Sequence, residues 1–149
     1  MQMNDSSDIQ LVIGDWATLQ RDATAVRHEV FVIEQQVPIE LELDEMDASC
    51  VHVVAYDVNN QPVGTARLLP DAHIGRMAVR APARSHGLGS RLLQALMQQA
   101  QARGDRVVRL NAQLQAESFY ARHGYEREGD EFLDAGIPHI AMRYTFEIQ

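Results

Sequence analysis

Two glycines set two residues apart, Gly87 and Gly89, lie in the run Arg84-Ser85-His86-Gly87-Leu88-Gly89-Ser90, between an apolar segment and a strongly patterned one. Residues of this kind at this spacing suit the binding of an anion. A helix start leaves backbone N–H groups without intrahelical partners and carries partial positive charge, and glycine lets backbone approach phosphate oxygens with no side chain between. Arg84 can add a charge-assisted hydrogen bond. Taken alone, Gly-x-Gly is more often a tight turn. The two common nucleotide motifs do not fit: no Lys-Ser/Thr follows the glycines, and the third glycine of a dinucleotide fingerprint would fall at position 92, which is leucine.

The elements around this run must present it as a strand-to-helix junction. Residues 74–79 read as a strand, Ala81-Pro82-Ala83 as a linker, and 88–102 as a helix with Leu88, Leu92, Leu93, Leu96, Met97 and Ala100 along one face. Gly104 fits just past its end. Upstream, a strand over 9–13 leads to a helix capped by Asp15, with Leu19, Ala23, Val26, Val30 and Ile33 facing inward. Segment 39–47 reads as a loop, partly extended. Strands follow at 51–58 and 62–69 around an Asn59-Asn60 turn. Downstream come a short strand over 107–110, a helix over 115–123 ended by Gly124, and closing strands at 125–128 and 139–146. The pattern predicts one domain, 1–149, of mixed α and β class, with a mostly antiparallel central sheet and helices on both faces.

On these residues the chain resembles the GCN5-related N-acetyltransferase (GNAT) family, whose segment Arg/Gln-x-x-Gly-x-Gly/Ala is matched by Arg84-Ser-His-Gly87-Leu-Gly89. The run Ala116-Glu-Ser-Phe119-Tyr120-Ala-Arg-His-Gly124-Tyr125 is similar to the family's Ala-x-x-Phe-Tyr-x-x-x-Gly-Phe helix. The phrase Arg27-His-Glu-Val30-Phe31-Val-Ile-Glu34-Gln35, with Asp44, Asp47 and His52 after it, resembles the small single-domain branch containing ElaA-like and YjcF-like proteins. The resemblance implies acetyl transfer from acetyl-CoA to an amine. It implies that the amides of His86, Gly87, Leu88, Gly89 and Ser90 hold the pyrophosphate with Arg84. The strand carrying Met77, Ala78 and Val79 would pair with pantetheine, Asn111 would touch its arm, and Tyr120 would stand near the thioester sulfur. A phenol there is a credible proton donor to the departing thiolate; by periodicity alone Tyr120 is a packed aromatic beside Phe119. A non-catalytic acetyl-CoA sensor and an enzyme for longer acyl groups stay open.

An attacking amine must be neutral, so a carboxylate or held water has to take its proton. Glu34 is the expected base; Glu40, Glu42, Asp44, Glu45 and Asp47 follow it, either as an acidic field for a cationic amine or as a solvated loop. Arg67 is expected in salt bridges with surface acids. His52 either faces the acceptor or is hydrogen-bonded in the sheet. The remaining histidines lack zinc-like spacing, so no metal is expected. A net charge of −8 disfavours nucleic acid, and no apolar run suits a membrane span. The lone Cys50 and a polar start at 1–8 point to the cytoplasm. The apolar strand over 140–146 could leave a pairing edge, and fold analogy favours a homodimer.

Overall fold

The computed structural model describes residues 8–147 except Leu43, with Glu40 and Leu41 described in backbone only; most of the polar start and part of the segment 39–47 thus lie outside the described residues. The strands are β1 (Gln10–Gly14), β2 (Val51–Tyr56), β3 (Pro62–Leu68), β4 (His73–Val79), β5 (Val107–Gln113), β6 (Glu126–Arg127), β7 (Phe132–Asp134) and β8 (Ile137–Thr145). They form one sheet in the order β1-β2-β3-β4-β5-β8-β6, with β7 also against β8. The helices are α1 (Trp16–Arg27), α2 (Ile39–Glu42), α3 (Leu88–Ala102) and α4 (Glu117–Arg122).

Alternation along the strands divides the core. Val53, Ala55, Ala66 and Leu68 face α3, whose Leu88, Leu92, Leu93, Leu96 and Ala100 are buried against them. Each such leucine gains roughly 2 kcal/mol from leaving water. Gly64 allows the close fit, since a Cβ there would stand 3.2 Å from Leu88 Cδ2 and Leu92 Cδ1. Val54 points the other way onto Leu19 and Ala23 of α1, and Ala78 onto Val26 and Val30. Helices therefore cover both faces, as the pattern predicts.

Two departures from the sequence reading matter for the site. The first helix does not run on in α geometry to Ile33: residues His28–Glu34 are wound as a π segment, with the Gln35 N–H donating to the Val30 carbonyl at 3.1 Å. The change of register leaves Ile33 64% exposed and turns Phe31 and Gln35 toward the sheet. The segment read as a partly extended loop is instead α2 followed by a 3-10 turn at Glu45–Ser49, where Asp44 accepts from the Met46 N–H at 2.9 Å. Strand β7 was not expected; it is only three residues long, and all three are exposed.

One pairing in the sheet is parallel. β4 and β5 are in register only at His73↔Arg109 and Ile74↔Leu110. Beyond that, β4 stays with β3, and β5 follows β8 down to Gln113↔His139. A shift of register against β3 and a φ of 49° at Arg76 bend β4 further from its neighbour. The sheet is thus split in its middle.

Candidate active site

The split opens a cleft of about 760 Å³. Met77 and Val79 line it from β4, Asn111 and Gln113 from β5, and Tyr120 from α4. Ala78 turns its side chain away into the α1 layer, so only its backbone is near.

At one end of the cleft α3 begins. Gly87 is its N-cap, with φ 79°, no capping side chain, and no acid in the first turn. By contrast, Asp15 caps α1 by accepting from the Thr18 N–H at 2.9 Å. Helix geometry leaves the amides of Leu88, Gly89 and Ser90 without intrahelical partners. A Cβ on Gly87 would meet nothing within 4 Å, so space lies open beside them. Ser85 before it also has a left-handed φ, 70°, and His86 is exposed. Leu88 buries its side chain, and the Ser90 hydroxyl is 2.8 Å from His123 Nε2, which ties α3 to α4. Gly89 faces Phe119, whose Cζ would be 3.4 Å from an added Cβ.

The Tyr120 hydroxyl donates to Met77 Sδ at 3.7 Å, which places it at the inner part of the split. Its ring meets Phe119 and Tyr125 edge-on, at 5.0 and 6.0 Å between centroids. Burial pushes the phenol up to about 12, so the hydroxyl keeps its proton at neutral pH.

The acceptor side differs from the sequence reading. Glu34 is held by Arg84, whose Nη1 and Nη2 donate to its two oxygens at 2.8 and 2.7 Å, while Arg84 Nε donates to the Val79 carbonyl at 2.8 Å. The Arg84 hydrogen bonds hold the Glu34 carboxyl below its usual range. Both Glu34 and Arg84 are about 40% exposed, and Arg84 lines the cleft while Glu34 does not. A carboxylate so paired is a weakened base.

Nor are all the acids after Glu34 solvated: Glu45 is exposed, but Glu42, Asp44 and Asp47 pair with arginines. Arg27 donates through Nη1 and Nη2 to Asp47 at 2.9 and 3.0 Å and through Nε to Glu42. Arg67 donates to the same Asp47 at 2.8 Å and to Asp44 at 2.7 Å. Arg27, Glu42, Asp47 and Arg67 are all buried, so Arg67 belongs to an interior network and not to the surface. Burial alone would raise Asp47, but the two guanidinium groups outweigh it and hold the carboxyl low. His52 is buried in the sheet, its Nε2 2.9 Å from the Asp47 carbonyl, with Trp16 4.7 Å from its ring and over Arg27 at 5.4 Å. Arg27 is the residue sequence reasoning missed here. Its signal was a charge beside the apolar row Leu19, Ala23, Val26, Val30.

Among the described residues no cluster of three or more His, Cys, Asp or Glu could hold a metal ion, and no helix is long and apolar enough to cross a membrane.

Comparison with known proteins identifies the family and the fold. The Acetyltransferase (GNAT) domain family matches residues 18–146. The uncharacterized N-acetyltransferase YjcF of Bacillus subtilis (strain 168) is 44% identical over 126 residues, covering 82% of this chain and 89% of that one. An acyl-CoA N-acyltransferase from Pseudomonas aeruginosa superposes with TM-score 0.83 at 30% identity, covering 92% and 99%. ElaA of Escherichia coli does so with TM-score 0.81 at 25% identity, covering 91% and 99%. With its parallel strands parted beside a bare helix N-terminus, and with this match along most of its length, the chain belongs to the GNAT family of acyl-CoA-dependent N-acyltransferases.

Proposed function

We propose that this protein transfers an acetyl group from acetyl-CoA to an amine of a small molecule or protein, in the cytoplasm. The observation that carries the reading is the alignment, along one cleft, of an uncapped helix start at Gly87 and the Tyr120 hydroxyl over Met77. The residues present fit the cosubstrate. Three unpartnered amides beside open space suit a diphosphate, and an elongated gap between two strands suits a chain bearing amide groups.

The amides of Leu88, Gly89 and Ser90 hold the diphosphate, with those of His86 and Gly87 completing the turn. Arg84 reaches the same anion while Glu34 fixes its guanidinium plane. The backbone of Met77, Ala78 and Val79 pairs with the pantetheine arm, and Asn111 contacts it from the opposite wall. Bound acetyl-CoA would supply the thioester that the amine attacks. Tyr120 donates its proton to the sulfur as the C–S bond breaks, which spares the leaving group an unsolvated negative charge. Glu34 serves here as a positioning residue.

The test is calorimetric titration with acetyl-CoA, using the parent and Gly87→Glu, which sets a carboxylate where the diphosphate should lie. Saturable binding to the parent that vanishes in a folded variant supports the reading. No binding to the parent at millimolar acetyl-CoA sinks it.

A further inference from the structure

We propose that His139 takes the proton from the acceptor amine. This rests on the acyl-transfer reading above and supplies the base that Glu34 does not provide.

The sheet first tells where His139 points. Cross-strand partners share a face, so His139 lies with Gln113, and Ile140 with Ala112. Ile140 and Ala112 are buried in the layer that holds α3. His139 and Gln113 therefore look toward the α1 layer, and the Gln113 amide indeed donates to Gln35 Oε1, at the end of the π segment, at 3.1 Å. Tyr120, by contrast, packs with the α3 layer. The cleft passes between the two layers and is lined by both residues. A thioester lying in the split has its proton donor on one side and His139 on the other, where an amine can enter.

The ring is then fixed in orientation and tautomer. Nδ1 lies 2.7 Å from the Ile137 carbonyl, which can only accept, so Nδ1 carries the hydrogen. Neutral His139 thus has its lone pair on Nε2. His139 is 9% exposed, and its imidazole stacks on Phe132 at 5.8 Å between centroids with 25° between planes. Phe132 sits opposite His139 because β7 and β8 join through Ala135 and Gly136 alone, both at positive φ, 51° and 77°.

The other titratable groups of the cleft are placed less well. Glu42 is engaged by Arg27, and Asp134 on β7 is exposed. His73 sits on β4 where the strands are still paired, with Nδ1 3.1 Å from Asp71. Arg67, Arg76 and Arg84 supply the positive charge that faces the cleft. In the reaction the amine nitrogen bonds to the thioester carbon and loses its proton to His139 Nε2. The C–S bond breaks, and Tyr120 protonates the sulfur. Transfer of the proton from imidazolium to the tyrosinate through solvent restores both groups, so the products are an amide and a thiol.

The test combines tautomer, kinetics and binding. In the full-length protein labelled with 15N-histidine, NMR at neutral pH should show His139 bearing hydrogen on Nδ1 and none on Nε2; the reverse tautomer overturns the proposal. Against a panel of polyamines, amino acids and lysine peptides, His139→Gln should lose about 100-fold or more in kcat/KM with acetyl-CoA affinity unchanged. Imidazole should also restore turnover to His139→Ala. A His139→Gln enzyme with parental rate overturns the role of His139 alone. A parent that binds acetyl-CoA yet acetylates nothing in the panel overturns the catalytic reading, and the base with it.

Discussion

Arg84 and Glu34, fifty residues apart in sequence, meet in a two-point ion pair at 2.8 and 2.7 Å at the mouth of the cleft. The pair joins the end of the π segment to the turn that precedes α3. A carboxylate whose proton affinity is lowered by such a partner is poorly suited to deprotonate an amine. Glu34→Gln should therefore change turnover by less than about fivefold, against about 100-fold for loss of a general base. Arg84→Ala should weaken acetyl-CoA binding by about tenfold, the scale of one charge-assisted contact. Steady-state kinetics and calorimetry on the two variants separate these outcomes.

Tyr120 yields a cleaner split between binding and chemistry. Among the described residues its hydroxyl donates to Met77 Sδ, a weak acceptor, so Tyr120→Phe removes a proton donor without orphaning a strong acceptor. The expected result is a fall of tenfold or more in kcat, about 1.4 kcal/mol of transition-state stabilisation, with acetyl-CoA affinity unchanged. Because burial holds the phenol near 12, no alkaline limb from this residue should enter the rate profile below about pH 11. An equal loss in kcat and in affinity would make the hydroxyl a packing element.

The longer strands, α3 and the turn at Gly87 were legible because each carries a local signal: an apolar run buried on both faces in β2 and β3, alternation in β5, a leucine row at steps of three and four, and glycine at a left-handed φ. The split between β4 and β5 is set by strand pairing, which leaves no local trace in the sequence. The roles of Glu34 and the acids after it were not legible. A run of carboxylates reads the same whether water or arginine surrounds it, and Arg27 and Arg67 arrive from α1 and β3. His139 was hidden for a similar reason. Its value lies in a hydrogen bond to Ile137 and a ring on β7, a strand too short to announce itself.

The interior network should govern acid stability. Asp47 is held below its ordinary value in the folded chain, so its contribution is complete above the unfolded value of about 4 and is lost as pH falls through the lower folded one. Melting temperature should be flat near neutrality and drop below about pH 4. Asp47→Asn leaves Arg27 and Arg67 buried without their shared carboxylate and should cost about 3 to 5 kcal/mol. In that variant the loss is already present at pH 7, and the acid-dependent part of the melting curve should shrink. An Asp47→Asn protein as stable as the parent would show that the network does not stabilise the fold.

Gly87 and Gly124 share a left-handed backbone, at φ 79° and 91°, yet alanine should act on them differently. At Gly124 an added Cβ would stand 2.9 Å from Tyr144 Cε2 and 3.2 Å from Cδ2, and that ring is held by Tyr125 and Phe146. Gly124→Ala therefore combines backbone strain of about 1 to 2 kcal/mol with displacement of a packed ring, about 1 to 3 kcal/mol more. The melting temperature should fall by roughly 4 to 20 °C, at about 2 to 4 °C per kcal/mol for a chain of this size. At Gly87 nothing lies within 4 Å of the added carbon, so only the backbone part applies and the melting temperature should fall less. Acetyl-CoA affinity should reverse the order: Gly87→Ala fills the space beside the free amides and weakens binding, while folded Gly124→Ala binds as the parent does. If Gly87→Ala left affinity intact, the open space at the start of α3 would not be where the diphosphate rests.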